Sequence, residues 1–265
     1  SQDGKSLKLS LQAVGEKQIA LGRKSFLPPL EFRAEPPKTK YSVKVPLGKP
    51  RDSVSLPTIH GPNDPTRPLV VIDAGHGGHD PGAISPHGAA REKNVTLAIA
   101  RAIRDRLVEG GRVRVALTRD SDEYLVLEER YGIARRLDAD LFMSIHADAA
   151  GNETASGATV YTLSEVASDR EAAKLAAREN KANIINGINL GGATRDVSSI
   201  LIDLTQRETM NVSADFAKLL HRESSRQMNF RKIPHRYASI VVLKAPDTPS
   251  VLFETGYLTN KDDVA

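Results

Sequence analysis

Cysteine is absent from all 265 residues, which excludes disulfides and thiolate metal sites and leaves His, Asp and Glu as the side chains able to hold an ion. No apolar run approaches the roughly 20 residues that span a bilayer, so no membrane helix is expected. No charged and apolar leader stands at Ser1, so a signal peptide is expected to lie upstream or to have been removed. A dominant charge is missing too. The net charge of +4 and the pI near 9.2 would suit an anionic partner such as nucleic acid. Of the 37 Lys+Arg and 33 Asp+Glu, however, residues 1–67 hold 12 and 6, leaving a nearly balanced 25 and 27 in the rest. The excess is what a solvated N-terminal segment would carry, and no nucleic-acid role is expected. What remains is an ordinary globular composition, 40% hydrophobic and 26% charged, in a chain of 28.7 kDa that can bury one good core plus an appendage.

Leu7 to Ala13 alternates apolar and polar residues, as a half-buried strand does, so residues 1–27 read as the trailing part of a preceding β domain. Nine of the 15 prolines fall between Pro28 and Arg67 without sustained periodicity, the composition of an extended linker over 28–67. From Pro68 strands and helices alternate. Leu69 to Ile72 is an apolar run, and Val95, Ile99, Ala102, Ile103 and Leu107 repeat at helical spacing up to Gly110 and Gly111. Val113 to Leu117 reads as a strand, Leu127 to Leu137 as a helix, and Leu141 to Ile145 and Ala158 to Leu163 as strands. Ser168 to Asn183 is alanine-rich and helical, with Ala172, Leu175, Ala176 and Glu179 on one face. Ile184 to Val197 is glycine-broken and reads as a surface loop, and Met210 to Met228 as a long helix with Phe216, Leu219 and Leu220 inward. Ile240 to Leu243 and Val251 to Glu254 are expected to be the last strands, with a terminal helix beyond the final residue, Ala265. This order predicts an α/β domain over 68–265: one mostly parallel, twisted sheet with helices on both faces and an inserted helical segment at 168–197.

The chemistry gathers at strand ends. His76 follows LVVIDAG, His146 follows LFMSI and Glu254 follows SVLF, while Glu92 opens the first helix. In open α/β sheets ligands bind at the carboxyl edge of the strands. A phosphate cradle does not fit, because GHGGHDPG has neither the P-loop lysine nor the G-x-G-x-x-G spacing. Two imidazoles, one carboxylate and an open position describe a catalytic zinc site, and a second carboxylate beside it would serve as base. Each residue alone has a plainer reading: a turn histidine, a glutamate favoured by a helix N-terminus, a turn cap. Asp73 and Asp148 flank the histidines and suit a supporting role. His235 is a candidate for substrate contact; His79, His87 and His221 lack a strand-end context, and His221 is expected on an exposed helix face.

DAGHGGHDPGA, REKNVT, SIHADA and FETGYLTN, in this order, resemble the zinc-dependent N-acetylmuramoyl-L-alanine amidases of bacterial cell-wall remodelling, in particular the division-associated periplasmic group. The resemblance spans about Arg67 to Ala265; Ile240 stands where an aromatic is more usual, and the tail after Asn260 is shorter than the family's. It implies one zinc ion on His76, Glu92 and His146, with Glu254 as the catalytic carboxylate. It also implies that AARENKANI is an inhibitory helix with Glu179 as a further zinc ligand, displaced by an activator of the LytM type. The expected substrate is peptidoglycan, cut between the lactyl group and L-alanine. A zinc peptidase acting within the stem peptide and a non-catalytic wall-binding module are the other readings.

Overall fold

The computed structural model describes residues 55–150, 154–181 and 198–264, with no side chains described for 198–204. The readings of Leu7 to Ala13, of most of the proline-rich segment and of the loop at 184–197 fall outside the described residues.

In chain order the elements are β1 (Ile59–His60), β2 (Leu69–Ala74), α1 (Glu92–Glu109), β3 (Arg114–Leu117), α2 (Leu127–Arg136), β4 (Leu141–His146) and β5 (Ala158–Leu163). There follow α3 (Arg170–Glu179), α4 (Ser198–Ser224), β6 (Phe230–Ala238), a 3-10 turn (Val241–Leu243), β7 (Ser250–Glu254) and α5 (Lys261–Val264). The sheet runs β1-β3-β2-β4-β7-β5-β6. β3, β2, β4 and β7 are parallel, so their carboxyl ends share one edge. β1 pairs antiparallel with β3, and β5 pairs antiparallel with β7 but parallel with β6, so the sheet is mostly, not wholly, parallel.

Strand β2 is buried at all six positions because it has cover on both sides. Val70 and Ile72 face one core, where Ala100 of α1 and Ala217 of α4 pack with Met143, Ile145, Val160, Val251 and Phe253. Val71 faces the other, built with Ile133 and Ala134 of α2, Ala172, Leu175 and Ala176 of α3, and Val241, Val242 and Leu243. Each face therefore carries its own helices, as the α/β reading requires.

Four details differ from the sequence reading. Ile240 to Leu243 is not a strand: all four residues are buried and apolar, Val241–Leu243 form a 3-10 turn that plugs the second core, and periodicity cannot separate such a run from a buried strand. The strand in that region is β6, whose FRKIPHRYA carries too many polar residues and a proline to read as one. It lies at the sheet edge, where Pro234 is tolerated. Helix α4 begins at Ser198, twelve residues before the expected start. On it Leu219 is exposed (43%), whereas Phe216 and Leu220 pack against the first core, and His221 is half-buried with its ring edge-on to Phe230 at 4.8 Å.

Candidate metal centre

The site sits at the carboxyl edge of β2, β4 and β7. Register sets its floor: Asp73 pairs with Ser144 and Ala74 with Ile145 across β2 and β4, and His146 pairs with Glu254 across β4 and β7. His76 lies two residues beyond β2 with φ 61°, a left-handed backbone rare outside glycine. Two glycines make room. A Cβ on Gly75 would lie 2.5 Å from the His146 ring, and one on Gly82 would lie 2.6 Å from the His76 ring and 2.7 Å from Glu92. Only hydrogen fits at either place.

Four sequence-selected groups meet there. His76 Nε2 and His146 Nδ1 lie 3.1 Å from Glu92 Oε2 and Oε1 respectively. Glu179 Oε2 lies 3.3 Å from His146 Nδ1 and 3.7 Å from His76 Nε2. The donor atoms of His76, His146 and Glu179 all fall within 4.8 Å of one another. Glu92 touches both rings and also accepts from the backbone amides of Ala83 (2.8 Å) and Ala147 (3.0 Å), which orient its carboxylate. Its helix context follows from local sequence: Glu92 is the first residue of α1, and the helix N-terminus favours negative charge.

The spacing of these donors suits a divalent cation. With metal–nitrogen bonds of about 2.0–2.1 Å, tetrahedral donors stand about 3.3 Å apart. The observed separations of 3.1 to 3.7 Å bracket that value. Beside His76, His146 and Glu179 lies a cavity of about 10 Å³, which Asp80 and Arg130 also line, room for roughly one water-sized sphere. Buried His76 Nε2 has no hydrogen-bond partner of acceptable geometry among the described residues. Carboxylates also outnumber cations. Burial would depress the His76 pKa, yet Glu92, Asp80 and Glu179 outweigh it and raise it well above the usual range. Glu92 is held well below the carboxylate range, its burial overcome by the two histidines. A small cation fits this donor set.

Glu254 is fully buried beside the cluster; its Oε2 accepts from the Asp148 amide at 3.2 Å and its Oε1 has no partner among the described residues. Burial, then Asp148, Glu92 and Glu179, push its pKa well above the ordinary value. A carboxyl so placed can accept and release a proton. Asp148, pushed up to about 7 by burial against the opposing pull of Arg178, holds the Arg178 guanidinium.

The supporting candidates divide. Asp73 lies beneath the rim, accepting from Thr118 (2.6 Å), Ser144 (2.6 Å) and Arg130 (3.0 Å). His235 is not brought to the cluster. It sits on β6 with Nε2 2.9 Å from Thr162 Oγ1, and the charge of Lys218 on α4 bears on it, so it belongs to the α4 side of the sheet. His79 packs on Tyr124, and His87 bonds the Thr259 carbonyl. Sequence reasoning missed Asp80, whose Oδ2 lies 2.9 Å from His76 Nδ1 and so turns Nε2 toward the centre. It stands inside the GHGGHDPG motif, but only the folded loop shows which histidine it serves. Arg178, Arg130 and Arg119 were missed as well, having no sequence signal beyond their charge.

The family described as N-acetylmuramoyl-L-alanine amidase matches residues 70–265. The N-acetylmuramoyl-L-alanine amidase AmiC of Neisseria meningitidis serogroup B is 40% identical over 195 residues, 73% of this chain and 46% of its own length. AmiA of Escherichia coli K12, an amidase of the same name, is 38% identical over 196 residues, 74% of this chain and 67% of its own. The solved structure of the N-acetylmuramoyl-L-alanine amidase AmiC2 of Nostoc punctiforme is 29% identical with a TM-score of 0.48, covering 74% of this chain and 83% of that one. The chain spans about half the length of the first curated relatives it matches. With nearly all of its sheet, its histidine-bearing rim and most of its length inside the family match at residues 70–265, the chain belongs to the N-acetylmuramoyl-L-alanine amidase family.

Proposed function

We propose that this chain hydrolyses the amide between the muramic acid lactyl group and L-alanine of peptidoglycan stem peptides. The observation that carries the reading is the meeting of His76, Glu92, His146 and Glu254, from four separate segments, on one sheet edge. His76, Glu92 and His146 would hold one zinc ion. Bound there, zinc would lower the pKa of water and polarise the scissile carbonyl. Glu254, alongside with a free Oε1, takes the proton from the attacking water and gives it to the leaving amine. Asp80 holds His76 in the orientation that offers Nε2.

Glu179 stands beside both imidazoles, in the place that a water on the metal would take. The reading therefore includes autoinhibition: α3 covers the site and supplies a carboxylate in place of water, and Arg178 fastens it by pairing with Asp148. An activator of the LytM type would withdraw this helix. Residues 68–265 would form the amidase domain, 168–197 its inhibitory insert, 28–67 a linker and 1–27 the end of a β domain. The setting would be the periplasm, in cell-wall remodelling and daughter-cell separation; among the described residues no helix is long and apolar enough to cross a membrane.

The test is digestion of purified sacculi under activating conditions, with the Glu179→Ala chain that the inhibitory helix would no longer hold off, followed by product analysis. Intact stem peptides freed from glycan, lost on chelation and restored by zinc, are expected. Shortened stems left on the glycan would point to a peptidase, and wall binding without products would overturn the enzyme reading.

A further inference from the structure

We propose that Arg130 is a positioning residue for His76, gripping the carbonyls around it and so fixing the imidazole that faces His146 and Glu179. The inference rests on the reading of His76 as a metal ligand. The loop that carries His76 has little ladder of its own, and its backbone is left-handed at His76 (φ 61°) and Gly78 (φ 57°). An L residue stays in that region only when its surroundings hold it there. The holding groups are guanidinium ions. Arg130 donates to the carbonyls of Ala74 and His76, both at 2.8 Å, and Arg119 donates to those of Ala74 (2.9 Å) and Gly75 (3.0 Å). Arg130 alone of the two reaches His76.

Its own placement is over-determined. Nε donates to the Leu125 carbonyl at 3.0 Å and Nη1 to Asp73 at 3.0 Å, and Asp73 is in turn fixed by Thr118 and Ser144. The layer holds two buried guanidinium ions, Arg119 and Arg130, against the buried carboxylate of Asp73. Stability alone is a weak reason for such an arrangement, since apolar packing often serves as well as a buried pair. A planar fork that binds two carbonyls at a set angle is a strong reason. Lysine, a point charge on a flexible stem, cannot replace it.

The test compares Arg130→Lys with Arg135→Lys. Arg135 sits on the same helix and makes a two-pronged pair with Asp247 (2.8 and 3.0 Å) away from the loop, so its replacement takes a guanidinium fork from α2 without touching His76, and the melting temperatures show how much stability each replacement costs. Cobalt(II) is titrated into each metal-free chain against a competing chelator, following the visible band of the bound ion, and the melting temperature of each metal-free chain is measured. Arg130→Lys should lower cobalt affinity by about tenfold or more and shift the band, the range seen when partners behind metal ligands are removed, while Arg135→Lys stays within about twofold of the wild type. Should Arg130→Lys not fold, Asp73→Asn, which leaves the arginine but loosens its anchor, should show a smaller loss in the same direction. Equal losses in the Arg130 and Arg135 variants, or an Arg130→Lys chain with wild-type affinity and spectrum, would overturn the proposal. A wild-type chain that takes up no cobalt would instead remove the metal reading beneath it.

Discussion

The two ends of α3 use charge in opposite ways. At the first turn Asp169 caps the helix, accepting from the amides of Glu171 and Ala172 at 2.9 Å and from Arg236 at 2.9 Å, while Arg231 and Arg236 pair with half-exposed Glu171. There the carboxylates of Asp169 and Glu171 are met by half-buried Arg231 and buried Arg236. At the last turn Glu179 is driven into a buried group that already holds Glu92, Glu254 and Asp148, with Arg178 as the cation the helix brings. The Asn180 side chain then bonds the Ser239 carbonyl and the Val241 amide, both at 2.9 Å, and ties that end down. The difference separates charge that docks a helix from charge that the helix presents: the first end is electrically satisfied without a ligand, and the second is not.

The sharpest way to test that contrast is at the rim. Glu254→Gln is expected to cut amidase turnover by about 10²–10⁴-fold, the usual contribution of a general base, while zinc content per chain stays as in the wild type. Near-normal turnover would remove Glu254 from the mechanism. Next in size, Glu179→Ala should raise basal digestion of sacculi by about tenfold or more, within the span of ordinary coupling energies. If digestion is unchanged or falls, α3 does not inhibit. At the helix's other end Asp169→Ala removes a cap of about 1 kcal/mol and one of the two carboxylates on buried Arg236, so the melting temperature should drop by at least about 2–4 °C. Its basal activity should rise far less than that of Glu179→Ala; a rise as large would mean the two ends act as one. The smallest effect is expected from Glu171→Gln, which removes the charge of a half-exposed side chain while Arg236 keeps Asp169 and Arg231 keeps its place over Tyr257; an exposed pair is worth about 0–1 kcal/mol, so thermal unfolding should stay almost unmoved. A larger drop would place the docking energy in that pair rather than in the apolar stripe of Ala172, Leu175 and Ala176.

Short apolar runs made β2, β4 and β7 legible, because they are buried at nearly every position, and helical spacing of apolar residues made α1 and α2 legible. Such patterns failed at β6 and at Val241–Leu243 for complementary reasons. An edge strand needs little apolar character, and a short buried turn needs all of it. Of the cluster, His76, His146 and Glu254 stood out because a polar residue directly after a buried strand is conspicuous. Asp80 and Arg130 did not, because each acts through hydrogen bonds whose partners only the folded loop brings near.

The α/β class, the residues at strand ends and the apolar stripe that leads to Glu179 are written locally, in spacing and side-chain type, and the sequence by itself determined them. Tertiary structure alone decided that β5 runs antiparallel to β7, that His235 faces α4 rather than the cluster, and that Glu179 meets two imidazoles. The physical reason is range. Backbone period acts over a few residues, whereas the meeting of His76 with Glu92, His146 and Glu179 depends on strand register, on glycines that admit one ring beside another, and on buried arginines holding carbonyls distant in sequence.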